Sequence, residues 1–234
     1  MKATLNLRNS AAFAALLFVM HELHEIVHIV VGYILCGCWG ERDFNVWSLC
    51  EGCSETEPLA FLSTLAGPVF TFAMIYIGYY LLSNRYRQQP GMRAFGFALI
   101  FANMPFARIL TVGLGGGDEM QVLDSLWGSQ ASGLTLWIIG FAAVVLVALP
   151  PLIRAWNVLR PEKRIWVFSG FFILPLAVDI VAVLIIMNRL LEQGILDQTG
   201  IIGSPLLVNL WTLLWVILLA IFWKDLKTIL RPAD

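Results

Sequence analysis

The sequence predicts an all-α membrane protein: a polytopic bundle of six transmembrane helices with a cysteine-rich extracytoplasmic loop. Three observations predict it. Of 234 residues, 59% are hydrophobic and 13% charged, with a mean hydropathy of +0.79, whereas soluble domains carry about 25% charged residues. Apolar runs recur at the roughly 20-residue length that crosses a bilayer core. The basic residues gather in alternate connections, as the positive-inside rule requires. The net charge of −1 gives no footing for nucleic acid.

The first span, at about 11–35, follows MKATLNLR, which resembles the start of a signal peptide. The apolar run continues past residue 28 with no small-x-small cleavage site after residue 20, so the segment is kept as a helix. The second span covers about 59–83 and contains LAGPVFTF. The third covers about 94–115; Pro105 removes a backbone donor at its middle and is expected to kink it, and it runs out into GLGGGDEM. The fourth, fifth and sixth cover about 133–153, 165–187 and 205–223 and carry few polar groups besides Asp179 and Asn209. Trp127, Trp166, Trp211 and Trp223 fit interface anchors. The chain is expected to be a single membrane domain, 1–234, in which 11–115 forms a catalytic-type three-helix core. The accessory segment 133–223 packs around that core or gates it.

Twelve of the fifteen basic residues fall on one side of this layout: Lys2, Arg8, Arg85, Arg87, Arg93, Arg154, Arg160, Lys163, Arg164, Lys224, Lys227 and Arg231. Both termini are therefore expected in the cytoplasm of a multi-pass cell-membrane protein. The short loops suit a bacterial-type plasma membrane. The first connection, with Glu41, Asp43, Glu51, Glu55 and Glu57, is expected outside. It holds all four cysteines, Cys36, Cys38, Cys50 and Cys53. An oxidising compartment favours two disulfides joining the ends of the loop; a four-cysteine zinc site or free thiols are the alternatives.

All three histidines lie in HELHEIVH, residues 21–28, inside the first apolar span. Ionisable groups at bilayer depth are costly and read as functional by default. On a helix His24 and His28 share a face one turn apart, with Glu25 beside them. The pattern H-E-x-x-H lets two imidazoles hold one zinc while the glutamate activates its water. The ion lowers the pKa of that water to near 7. By chance the motif would occur here on the order of one time in a thousand. His21 lies roughly 10 Å along the axis from His28, too far to share an ion with it. It is expected to support the site, to line a channel, or to form a competing pair with His24. Glu22 projects away from Glu25.

A catalytic zinc needs a third protein ligand and an open position. With no histidine left, the carboxylates near the membrane are Asp118, Glu119, Asp124 and Asp179. Asp118 ranks first because the third helix runs the same way as the first and ends just before it, at the same depth. Arg108 and Asp179 each lie fourteen positions into their spans, so a buried ion pair between them is the simplest expectation. Alternatively, Arg108 faces the zinc cavity and stabilises an oxyanion, with Asp179 orienting it.

At these residues the chain resembles the site-2 protease family of intramembrane zinc metalloproteases. His24-Glu25-x-x-His28 lies on the first span. Gly67-Pro68 matches the family's G-P-x-x-N element, with Thr71 in place of its Asn. Asn103 and Pro105, followed by Asp118, resemble its Asn…Pro…Asp-Gly element, although Glu119 stands where that Gly would be and the spacing is longer. The resemblance covers about half the chain and implies that Asp118 is the third zinc ligand. It also implies hydrolysis of peptide bonds in or beside the transmembrane segment of a single-span membrane-protein substrate. Gly67 and Pro68 would then help to present the substrate, since Gly67 permits close approach and Pro68 frees a carbonyl. A metal-binding or metal-transporting protein, and a non-catalytic protease-like binding protein, are the other readings. Oligomeric state is not legible in the sequence.

Overall fold

A computed structural model describes residues 1–232. It is 73% helical, and six helical segments among the described residues are long and apolar enough to cross a membrane. The helices are α1 (Leu7–Cys36), α2 (Cys53–Thr56), α3 (Phe61–Leu81), α4 (Pro90–Ala102), α5 (Pro105–Gly113), α6 (Asp118–Trp127), α7 (Gly133–Val158), α8 (Arg164–Asp179), α9 (Asn188–Glu192) and α10 (Leu206–Leu226). Between α8 and α9 the helix continues as a π-helical stretch, Ile180–Met187.

Local chemistry sets the boundaries. The Asn6 side chain accepts a hydrogen bond from Asn9 N–H and caps α1. At the other end Gly37 N–H donates to the Tyr33 carbonyl. Ser132 caps α7 in the same way as Asn6, through Thr135 N–H. The third span, Pro90–Gly113, does more than kink. Met104 takes a left-handed conformation (φ 46°), and Pro105 starts α5 as a separate helix. A second reversal follows at Gly115 and Gly117, both with positive φ (83° and 88°). It starts α6 with Asp118.

Helix α1 is the axis of the bundle and packs against α3, α4 and α10. Its first half meets Phe97, Ile100 and Phe101 of α4, all fully buried, to form a solid apolar core that includes Leu16, Leu17 and Leu226. Beyond that core lies the polar half of α1. Both described ends of the chain meet at the apolar end, where β1 (Lys2–Ala3) pairs antiparallel with β2 (Leu230–Arg231). The connections that precede α4 and α8 gather there too. Arg160 N–H donates to the Met1 carbonyl, and Gly91 lies against Lys227.

The cysteine loop closes the opposite end. Two disulfides, Cys36–Cys53 and Cys38–Cys50, join its two ends, so neither the zinc nor the free-thiol alternative for these cysteines holds. The loop is also tied inward by charge. Arg42, 3% exposed, donates through Nη1 to Glu22 Oε2 (2.9 Å) and through Nε to Ser204 Oγ (2.8 Å), and Thr212 Oγ1 donates to the same Glu22 oxygen (2.7 Å). Glu22 thus faces away from His24 and Glu25 and anchors the loop and α10 to α1. Trp127, Trp166 and Trp223 are substantially exposed, as interface anchors would be. Trp211 differs: it packs edge-on against Phe18 and Phe44, because α10 lies directly on α1.

Removing one member of a buried ion pair strands the other, at a penalty of about 3–5 kcal/mol. Arg42→Ala should therefore lower thermal stability in detergent markedly. The double replacement Glu22→Gln, Arg42→Met should recover much of that loss.

Candidate metal centre

His24 and His28 stand on one face of α1, both almost fully buried. Their outer ring nitrogens are fixed by α3. His28 Nδ1 lies 2.7 Å from the Ser63 carbonyl, which can only accept, so Nδ1 carries the proton and Nε2 keeps its lone pair. His24 Nδ1 meets Thr71 Oγ1 at 2.9 Å, and its Nε2 accepts from Arg108, which can only donate. Both Nε2 lone pairs therefore point inward, and the bonds at Nδ1 are of the kind that fix metal-ligating imidazoles. Trp47 of the cysteine loop stacks on the His28 ring, 4.6 Å between centroids and 12° from parallel.

The two reversals of the chain bring Asp118 onto the same point. Its Oδ2 lies 3.2 Å from His24 Nε2 and 3.7 Å from His28 Nε2, and the two nitrogens are 3.1 Å apart. Ligand bonds of about 2.0–2.1 Å in a tetrahedron place the donors roughly 3.3 Å from one another. The three atoms thus match the face of a tetrahedral zinc site. Among the described residues this is the one group of three His, Cys, Asp or Glu donors close enough to hold a metal ion. Arg108 Nη1, 2.8 Å from the same Oδ2, sets a positive charge against the Asp118 carboxylate.

Gly67 has its reason here. A Cβ at this position would stand 2.1 Å from His28 Nε2 and 2.6 Å from His24 Cε1. Only glycine lets α3 approach so closely while Ser63 and Thr71, one turn to either side, hold the rings. Pro68 is buried beside it.

The expected pair between Arg108 and Asp179 does not form. Arg108 Nη1 donates to Asp118 Oδ2 at 2.8 Å and lies 3.7 Å from Glu119, whereas Asp179 Oδ1 meets His21 Nδ1 at 2.6 Å. Equal depth assumed straight, continuous helices. The break at Asn103–Met104 re-aims α5 and turns Arg108 toward α6. Burial pushes the Glu119 carboxyl up, and both its oxygens lack a hydrogen-bond partner.

His21, Glu25, Asn103, Arg108 and Asp179 line one cavity of about 240 Å³, together with His24. Leu176, Ile180 and Leu184 of the fifth span give it an apolar side. Asn103 donates to the Leu99 carbonyl, and its Oδ1 is buried without a partner. A second opening lies under the cysteine loop, where Trp47, Glu51 and Gln121 border His24, Glu25 and Asp118. Thr71, Ser63 and Trp47 escaped the sequence reading as site residues. Thr71 alone left a signal, one turn after Gly67 and so on the same face.

No protein-family model, no curated protein and no solved structure matches the chain.

Gly67→Ala should fold yet lose its capacity for metal, because the added methyl group occupies the space of the His28 ring. Equilibrium dialysis against zinc reads this directly, with circular dichroism reporting the retained helix.

Proposed function

We propose that this protein is an intramembrane zinc metalloprotease that hydrolyses peptide bonds in or near the transmembrane segment of a membrane-protein substrate. The observation that carries the reading is the donor set: two Nε2 lone pairs and a carboxylate oxygen at tetrahedral spacing, with Glu25 adjacent on the same helix. His24, His28 and Asp118 would hold the ion and leave its fourth position open. Bound there, zinc supplies a Lewis acid that acidifies a water and polarises a carbonyl.

The chain's own residues do the rest. Glu25 borders both this cavity and the opening beneath the loop. It is placed to take a proton from the attacking water and to return it to the leaving amine. The water's oxygen bonds to the scissile carbon as the C–N bond breaks, and the products are a carboxylate and an amine. The two openings suit the two reactants, a substrate strand from the lipid between α5 and α8 and water from beneath the loop.

A metal transporter would need a polar route through the whole thickness. The apolar core on the far side of His21, with Leu16, Leu17, Phe97 and Phe101 buried, speaks against one. The same core separates the site from the end where β1, β2 and the basic connections meet. By the positive-inside rule that end, with both termini, faces the cytoplasm, and the site lies nearer the outer face of the cell membrane.

The reading is tested by metal content together with cleavage of a quenched-fluorescent single-span peptide in detergent. Wild type should hold about one zinc per chain, lost in His28→Ala. Glu25→Gln should keep the metal and cleave at least a hundredfold more slowly. Absence of zinc from the wild type, or undiminished cleavage by Glu25→Gln, would refute it.

A further inference from the structure

The cavity holds a second buried pair that the metal centre does not use. His21 and Asp179, each with 9% of the side chain exposed, meet at 2.6 Å. They come from opposite halves of the chain and both line the cavity that contains Glu25. His21 lies one turn before Glu25 on α1, at a spacing that brings side chains to about 5–6 Å at Cβ. Asp179 sits where α8 gives way to the π-helical stretch, a departure from α-helix that recurs at functional sites.

We propose that His21 is a further catalytic residue: its Nε2–H binds the oxygen of the scissile carbonyl as negative charge develops there, and Asp179 is its positioning residue. This rests on the protease reading. The Nδ1–H donates to Asp179 Oδ1, which fixes the ring's orientation and leaves Nε2 as the free end. As an imidazolium ion-paired with Asp179, the ring donates from both nitrogens. The charged groups facing His21 are Asp179 from α8, Glu25 from α1 and Arg108 across the cavity from α5; Glu22 is committed to Arg42.

Two other polar groups stand nearby: Arg108, whose Nη1 donates to Asp118 Oδ2, and Thr71, whose Oγ1 accepts from His24 Nδ1–H. His21 adds a donor that Asp179 holds on the wall of the cavity containing Glu25. As the water's oxygen adds to the carbonyl carbon and Glu25 takes its proton, the carbonyl π electrons move onto oxygen, and His21 meets that charge. When the C–N bond breaks, the electrons return to form the carboxylate and the amine leaves with the proton from Glu25.

The test uses the cobalt-substituted full chain in detergent, whose visible spectrum reports ligands without turnover. The probes are a phosphinic pseudopeptide, which carries a tetrahedral anionic centre, and imidazole, which carries no anionic oxygen. His21→Ala should bind cobalt and imidazole as wild type does and lose about a hundredfold in affinity for the phosphinic probe. His21→Gln keeps an N–H donor and should recover most of that affinity, while Asp179→Asn should lose part of it. Unchanged phosphinic affinity in His21→Ala would overturn the proposal and leave the protease reading intact. Equal loss of both probes, or loss of cobalt in the His21 and Asp179 variants alike, would make the pair structural and also overturn it. Failure of the wild type to bind cobalt would instead remove the metal site on which both readings stand.

Discussion

Five titratable side chains lie in the interior along about two turns of α1, and the bundle is arranged by where four of them find partners. His28 takes the Ser63 carbonyl and His24 takes Thr71, which fixes α3. Glu22 takes Arg42 and Thr212, which fixes the cysteine loop and α10. His21 takes Asp179, which fixes α8. Glu25 alone among the five makes no such bond and remains turned to the cavities. An unpaired charge at this depth is costly enough to override local helix preference. This is the physical sense in which one polar stretch of α1 specifies four neighbours.

The same constraint divides the molecule along its axis. One end is dry, closed by aromatic and aliphatic side chains and tied by the short pairing of β1 with β2. The other end is polar and capped by a loop that two disulfides and a buried ion pair hold in place. Between them, the breaks at Met104 and Gly117 convert what would be one straight span into three short helices, and this folds Asp118 back onto the histidines. A continuous third helix would carry Asp118 past them. Strain at a left-handed non-glycine residue costs on the order of 1–3 kcal/mol and persists where its surroundings enforce it; here it delivers the third donor.

The helical architecture, the six apolar segments and the pairing of the cysteine loop were legible because hydropathy, length and cysteine spacing are local signals. The grouping of His24, Glu25 and His28 was legible for the same reason, since they are neighbours on one helix. Long-range pairings were not. Depth along idealised spans matched Arg108 with Asp179, but depth carries no azimuth, and the break before Pro105 changes the direction of α5. The ring-holding roles of Ser63 and Thr71 depend on how closely α3 approaches, which Gly67 permits and no periodicity reveals. Arg42, read as an ordinary outer-loop charge, is buried because the loop folds inward, and nothing in its flanking residues announces that.

X-ray absorption at the zinc edge of the purified protein tests the account most directly, because it reads the donors themselves. Two imidazole nitrogens and two oxygens, from Asp118 and water, at about 2.0–2.1 Å with no sulfur are the expected shell. A shell containing sulfur near 2.3 Å would place the metal on the cysteines and contradict the account, as would a shell without imidazole.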